Sequence, residues 1–235
     1  KKSGLSAGTV TAAVFLLRSM LHLAVKLDIP VSCDVQAVTV RQEQTDIRVF
    51  THNEQAVLCR HLLSNFSLKN AGILLCLFTG IRVGELCALR WENICLQDRV
   101  LCVQHTMQRI QTDMPSDQKT KVMITSPKSK HSIRVIPLPE DFAKLVASIQ
   151  PESSSGFFLT GREHHWVEPR SMQNHFKRVL QCCAIAPANF HALRHTFATR
   201  CVELGFDLKS LSEILGHANV NITMNRYVHP SMELK

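Results

Sequence analysis

The chain of 235 residues carries a formal charge of +8, with 45% hydrophobic and 20% charged residues. That balance suits a folded protein of one or two domains with a sizeable core and excludes an intrinsically disordered polymer. The positive excess points to a polyanionic partner, and no uninterrupted apolar run approaches the ~20 residues of a membrane-spanning helix.

The start, KKSGLSAGTV, lacks the long apolar segment and small-residue cleavage site of a signal peptide, so a cytoplasmic location is expected. Ser6 reads as the N-cap of a helix from Ala7 to Leu27, with Val10, Val14, Leu17, Leu21 and Val25 at helical spacing. Pro30 to Arg48 has no strong periodicity and suits a linker. Thr51 and Glu54 have capping-box spacing at the head of a helix that runs to Phe66. Ala71 to Phe78 is an apolar run suited to a buried helix, broken by Gly80. Arg82 then stands at a helix junction, with Glu85, Leu86 and Leu89 opening the next helix; taken alone, Arg82 and Glu85 read as an ordinary intrahelical ion pair.

Arg99 to Gln104 reads as a strand, Gln111 to Lys121 as a loop, and Val122 to Thr125 with Ile133 to Leu138 as a hairpin whose turn carries Lys128. Lys119, Lys121, Lys128, Lys130 and Arg134 make this stretch basic, either a surface contacting a nucleic-acid backbone or a solvated hairpin. Asp141 to Ile149 is an amphipathic helix, PESSSG a turn, and Phe157 to Leu159 a short strand. Arg170 to Cys183 is a helix whose Lys177 and Arg178 are phosphate contacts or its wet face.

The segment NFHALRHTFATRCVELGFDLKSLSEILGHANVNITMNRYV gathers the chemistry. His191 and Arg194, three apart on a helix, share one face, while Leu193, Phe197, Val202 and Leu204 are expected to bury the other. Asp207 caps a helix from Leu208 to Leu215, Gly216 ends it, His217 follows at the turn, and a last helix from about Ile222 carries Tyr227. A guanidinium matches a phosphate bidentately, an imidazole moves protons near neutrality, and a tyrosine hydroxyl becomes a nucleophile when cations and a base ease its ionisation.

The nine cysteines, Cys33, Cys59, Cys76, Cys87, Cys95, Cys102, Cys182, Cys183 and Cys201, form no CxxC pair and read as small buried hydrophobes in a reducing compartment. The histidines show no HExxH or comparable ligand spacing, and no metal site is expected.

TGIRVGELCALRW, HALRHTFATR, LGHANV and NRYVHP, in this order, resemble the tyrosine recombinase (phage integrase) family, most of all the integrases of conjugative transposons. The likeness covers most of Val49 to Met232. It implies a mainly α fold with a small antiparallel β-sheet (α+β). Residues 51–235 would form the catalytic domain, residues 31–50 an interdomain linker, and residues 1–30 the last part of a helical core-binding domain that clamps DNA, so the chain is expected to start part-way through that domain.

By the same resemblance, Arg82, Lys128, His191, Arg194, His217 and Tyr227 are catalytic, His191 and His217 orienting the phosphate and sharing proton transfer, with Glu85 supporting and Lys130 in reserve for the hairpin lysine. Lys119, Lys121, Arg134, Lys177 and Arg178 are DNA-binding candidates. The reaction is metal-independent strand cleavage and rejoining through a 3′-phosphotyrosyl link, with no cofactor and no membrane. The implied partners are double-stranded DNA at element ends and target site, further copies of the chain from dimer to tetramer, and DNA-bending accessory proteins, in a nucleoid-associated enzyme. Only eight residues follow Tyr227, fewer than the segment with which family members dock onto a neighbouring protomer. The alternatives are a catalytically silent helix-turn-helix-like DNA-binding regulator, from Leu208 to Arg226, and a type IB topoisomerase, which shares the chemistry but relaxes supercoils.

Overall fold

The computed structural model describes residues 4–31, 47–111, 120–126, 133–151 and 154–228. The chain divides into two units, Lys1–Asp46 and Ile47–Lys235, and the division falls within the stretch read as a linker.

In the first unit, helix α1 spans Ala7–Lys26, with Ser6 accepting from the Thr9 N–H at its start and Leu27 at its end. None of its residues is buried, and Phe15, Leu16, Met20 and Leu23 are exposed. With a mean hydropathy of 1.5 it is long and apolar enough to cross a membrane by length and composition, which corrects the expectation that nothing here reaches that length. Polar residues interrupt the run without dragging the average down. Two of them, Thr11 and Ser19, turn their hydroxyls back onto the carbonyls of Ala7 and Phe15 one helical turn earlier.

The larger unit is mostly helical. Helix α2, His52–Ser64, begins at the expected capping box: Thr51 accepts from the Glu54 N–H at 3.1 Å, and Glu54 accepts from the Thr51 N–H at 2.8 Å. Helix α3, Leu68–Thr79, is apolar all round and buries every residue from Asn70 to Leu77. It leads into α4, Val83–Ala88. Helices α5, Glu140–Ala147, and α6, Pro169–Cys182, add Phe142, Met172 and Phe176 to the same core as Leu58, Leu62 and Trp91. Helix α7, His191–Glu203, joins this core through Ala192 and Leu193, and its Thr196 hydroxyl accepts the Phe50 N–H at 2.9 Å, tying the entry segment to the middle of the unit. Leu204, expected on the buried side of α7, is 86% exposed. It is the C-cap rather than a helical residue, and Gly205 at φ 75° turns the chain away there.

Asp207 caps α8, Leu208–Leu215, as expected, and Asn219 caps α9, Val220–Thr223. In place of one continuous last helix, α9 passes into a wider π-helical turn, Met224–Val228, which carries Tyr227. Ala198, Leu211, Leu215 and Tyr227 form a second, smaller apolar cluster, with Phe197, Cys201 and Val202 packed against it.

The strands correct the expected hairpin. β1, Ile94–Cys95, and β2, Val100–Val103, form an antiparallel sheet with β5, Arg134–Pro137, in the order β1-β2-β5, while β3, Thr106–Gln111, pairs with β4, Thr120–Thr125, in a separate ribbon. The segments read as partners across the Lys128 turn therefore belong to different sheets, and β3 occupies residues not assigned to any strand. Burial explains the choice: β5 alternates buried Arg134 and Ile136 with exposed Val135, and register Leu101↔Ile136 stacks it on the buried side of β2. Phe157 makes a single bridge to Arg90 rather than a strand.

Candidate active site

The site is built at the ends of helices. Gly80 closes α3 at φ 66°, where a Cβ would lie 2.6 Å from the Phe197 ring; only glycine takes this left-handed turn against the aromatic face. The turn leaves the Gly80 carbonyl pointing at Arg194, whose Nη1 donates to it at 2.8 Å. The other terminal nitrogen, Nη2, donates to the Leu215 carbonyl at the end of α8, at 2.6 Å, and to His217 Nε2 at 2.9 Å. Arg194 is only 2% exposed. Burial, then the charge of Arg82, lowers its pKa to about 9, which leaves it a cation at neutral pH.

Arg82 is the N-cap of α4, and its backbone N–H donates to Glu85 Oε2 at 2.8 Å. Its guanidinium donates to Glu85 Oε1 at 2.9 Å and to the Gly216 carbonyl at 3.3 Å, and keeps 37% of its side-chain surface exposed. Glu85 also takes a two-pronged bond from Arg134, at 3.0 and 2.8 Å, while Arg134 Nε donates to the Ile214 carbonyl at 2.5 Å. Burial alone would raise the Glu85 carboxyl, but the Arg134 hydrogen bonds and the charges of Arg134 and Arg82 outweigh it and hold the pKa at about 2. Arg134, expected on a DNA-facing surface, is thus an internal strut: its side chain is 5% exposed, because pairing β5 with β2 turns it inward.

Each arginine meets a carbonyl at the C-terminal end of α3 or α8, where the helix dipole is negative. With Arg134 and Glu85 paired, Arg82 and Arg194 supply an excess of positive charge that an anion can neutralise.

The imidazoles are neutral. His217 Nε2 must accept, because Arg194 can only donate, so Nδ1 carries the hydrogen and donates to Thr223 Oγ1 at 2.8 Å. Burial, then Arg194 and Arg82, depresses its pKa to about 3. His191 is held at about 4 by the atoms crowding its ring and then by Arg194, although part of the residue stays exposed. His191 lines a hollow of about 130 Å³ together with Arg82, Gln173, Asn189 and Arg194, large enough for a few non-hydrogen atoms. Tyr227 is 3% exposed, and its hydroxyl meets His195 Nδ1 at 3.0 Å. Burial raises the tyrosine pKa, opposed by the charges of Arg194 and then Arg226.

The structure thus gathers Arg82, Glu85, His191, Arg194, His217 and Tyr227 around helix ends that the chain order keeps far apart. Lys128, its reserve Lys130, and Lys119 lie outside the described residues. Lys121 on β4 and Lys177 and Arg178 on α6 are exposed. Sequence reasoning missed two participants: His195, whose signal was its place one helical turn after His191, and Arg134 as the partner of Glu85, whose in-phase alternation with Ile136 signalled an inward face but not the partner. Among the described residues no cluster of three or more His, Cys, Asp or Glu could hold a metal ion.

A model of the phage integrase family matches residues 48–233. The chain is 31% identical over 202 residues to a tyrosine recombinase XerC-like protein of Caldanaerobacter subterraneus subsp. tengcongensis, covering 79% of this chain and 51% of that protein. It is 26% identical over 180 residues to the transposase from transposon Tn916 of Enterococcus faecalis, covering 68% and 42%. The chain therefore spans about half the length of the curated relatives it matches. The fold matches that of the Tn1549 transposon integrase in complex with transposon right end DNA, with a TM-score of 0.77 at 21% identity over 99% of this chain and 80% of that one. A lambda integrase dimer bound to a COC′ core site gives 0.59 at 16% identity, over 95% and 65%. Since the family model spans every residue of the cluster, from Gly80 to Tyr227, and most of the chain besides, the chain belongs to the phage integrase family, the tyrosine recombinases.

Proposed function

We propose that this chain is the cleaving and rejoining part of a site-specific DNA recombinase, an integrase that inserts or excises a mobile element. Tyr227 attacks a backbone phosphate in line, the bond from phosphorus to the 5′ oxygen breaks, and a 3′-phosphotyrosyl link and a free 5′-hydroxyl result. Arg82 and Arg194 clamp the non-bridging oxygens as negative charge builds on them. His191 and His217 orient the phosphate, Glu85 fixes the guanidinium of Arg82, and Lys128, or Lys130 in its place, protonates the leaving oxygen. The link keeps the energy of the bond it replaced, so a second DNA hydroxyl can reverse it onto a new partner without metal or cofactor.

The same reading makes residues 51–235 the catalytic domain, residues 1–30 part of a DNA clamp and residues 31–50 their link. The enzyme acts as a cytoplasmic, nucleoid-associated dimer to tetramer, with DNA-bending accessory proteins, on double-stranded element ends and target sites. The observation that carries the proposal is the gathering of Arg82, Arg194 and His217 on the carbonyl ends of α3 and α8, with the Tyr227 hydroxyl held by His195, the residue after Arg194.

The test is a denaturing gel after incubation with nicked suicide duplexes from candidate element ends, in EDTA. A protein–DNA adduct formed by the wild type and absent with Tyr227→Phe is expected. Salt-sensitive binding without adduct, from this chain and from one extended by a complete clamp domain, would instead favour the silent regulator. Supercoil relaxation without exchange between duplexes would favour the topoisomerase.

A further inference from the structure

We infer that His195 is a catalytic residue that receives the Tyr227 proton as the tyrosine attacks and returns it when the strand is rejoined; this rests on the recombinase reading above. The 3.0 Å contact between the Tyr227 hydroxyl and Nδ1 of His195 carries the inference. With its hydrogen on Nε2, the His195 ring presents the Nδ1 lone pair to the phenol hydrogen and stands where that hydrogen has to go as the tyrosine attacks. His191, one of the two histidines expected to share proton transfer, instead faces the hollow and packs edge-on against the His195 ring, at 4.7 Å between centroids.

The groups facing His195 fit an acceptor held neutral until it is used. They are His191 and Arg194 on its own helix, and Arg226 and Tyr227 on the π-helical turn. Among the described residues these neighbours include no carboxylate, and an imidazolium there becomes favourable once a phosphate anion enters the cluster.

The proton count closes. In cleavage the Tyr227 oxygen bonds to phosphorus, its hydrogen passes to Nδ1, and the departing 5′ oxygen takes a proton from the general acid on the leaving side. In rejoining, the 5′-hydroxyl returns its proton to that acid, the phosphotyrosyl bond breaks, and His195 reprotonates the tyrosine.

His195→Asn separates proton transfer from simple positioning, since an amide oxygen near the place of Nδ1 can hold the hydroxyl but cannot take its proton. The variant is expected to bind nicked suicide duplex like the wild type and to cleave it slower by roughly 10²–10⁴-fold. Its rate should then climb tenfold per pH unit between about pH 7 and 9, as pre-ionised tyrosine replaces the missing base. Wild-type rate and wild-type pH profile in His195→Asn, with wild type forming adduct and Tyr227→Phe not, would overturn the role of His195 while leaving the recombinase reading intact. Absence of adduct from the wild type would count against the recombinase reading itself. Nitrogen NMR of the unmodified protein tests the geometry without any substitution: Nδ1 of His195 should be the unprotonated nitrogen and Nε2 the protonated one. A hydrogen on Nδ1 would overturn the inference whether or not the variant folds.

Discussion

At the scale of single residues, the site is a set of ionisable groups whose charges are fixed by their neighbours. His191 and His195 are held near about 4 and His217 near about 3, all below the ordinary value for histidine, and Glu85 near about 2. In each case the unfolded chain takes up protons at a higher pH than the folded one. Folding stability is therefore complete above about pH 6.5 and is lost as pH falls, first through the histidines and then, below about pH 4.5, through Glu85. Thermal melts at about pH 7.5, 6 and 5 should show a level midpoint followed by a decline. A midpoint unchanged down to pH 5 would mean that the histidines are not buried as neutral rings. The sequence pointed to most of these residues because four separated motifs resemble one family; taken alone, Arg82 and Glu85 read as an ordinary ion pair. It could not show that Arg134 supports Glu85, because that depends on which strand β5 pairs with, and no local pattern encodes a partner more than thirty residues away.

At the scale of elements, the helices were legible and so were β2, β4 and β5, but β3 and the pairing of the strands were not. Ser6, Thr51 and Asp207 mark helix starts with their own side chains, and Gly80 and Gly216 mark ends, so the signal for each boundary lies within a few residues of it. The short strands have only alternation to offer, and TMQRIQ of β3 carries too little apolar contrast to stand out. The helix ends also matter for the site. Gly216 sits at φ 64°, and a Cβ there would lie 3.2 Å from both Cδ and Nη1 of Arg134. Gly216→Ala should thus strain the left-handed turn, at about 1–2 kcal/mol, and press on the guanidinium that holds Glu85. The expected outcome is a lower denaturation midpoint together with slower DNA cleavage. A variant with wild-type stability and rate would show that the turn relaxes freely and does not set the site.

At the scale of the molecule, the charge of +8 and the cationic hollow predict how the chain meets DNA. Affinity should fall linearly on a logarithmic salt scale, with a slope near −0.9 per phosphate neutralised. If Lys177 and Arg178 on the exposed face of α6 touch the backbone, alanine at each should weaken binding alike for all sequences and reduce the slope by about 1. Unchanged slopes in a filter-binding titration would make that face merely solvated. The overall architecture, helices around a small antiparallel sheet, was readable because four separated motifs fit one family. The arrangement inside the sheet region was not, since it is decided by burial against the core.

Tyr227 is the only tyrosine in the chain, and its hydroxyl meets Nδ1 of His195. Feeding cells a fluorinated tyrosine would therefore place one fluorine atom in each protomer, on the ring proposed to attack DNA. A single resonance would follow that ring in three states: hydroxyl, ionised, and joined to phosphate. In an assembly on DNA, the ratio of shifted to unshifted signal would count how many protomers are covalently engaged at once, with no second label and no separation step.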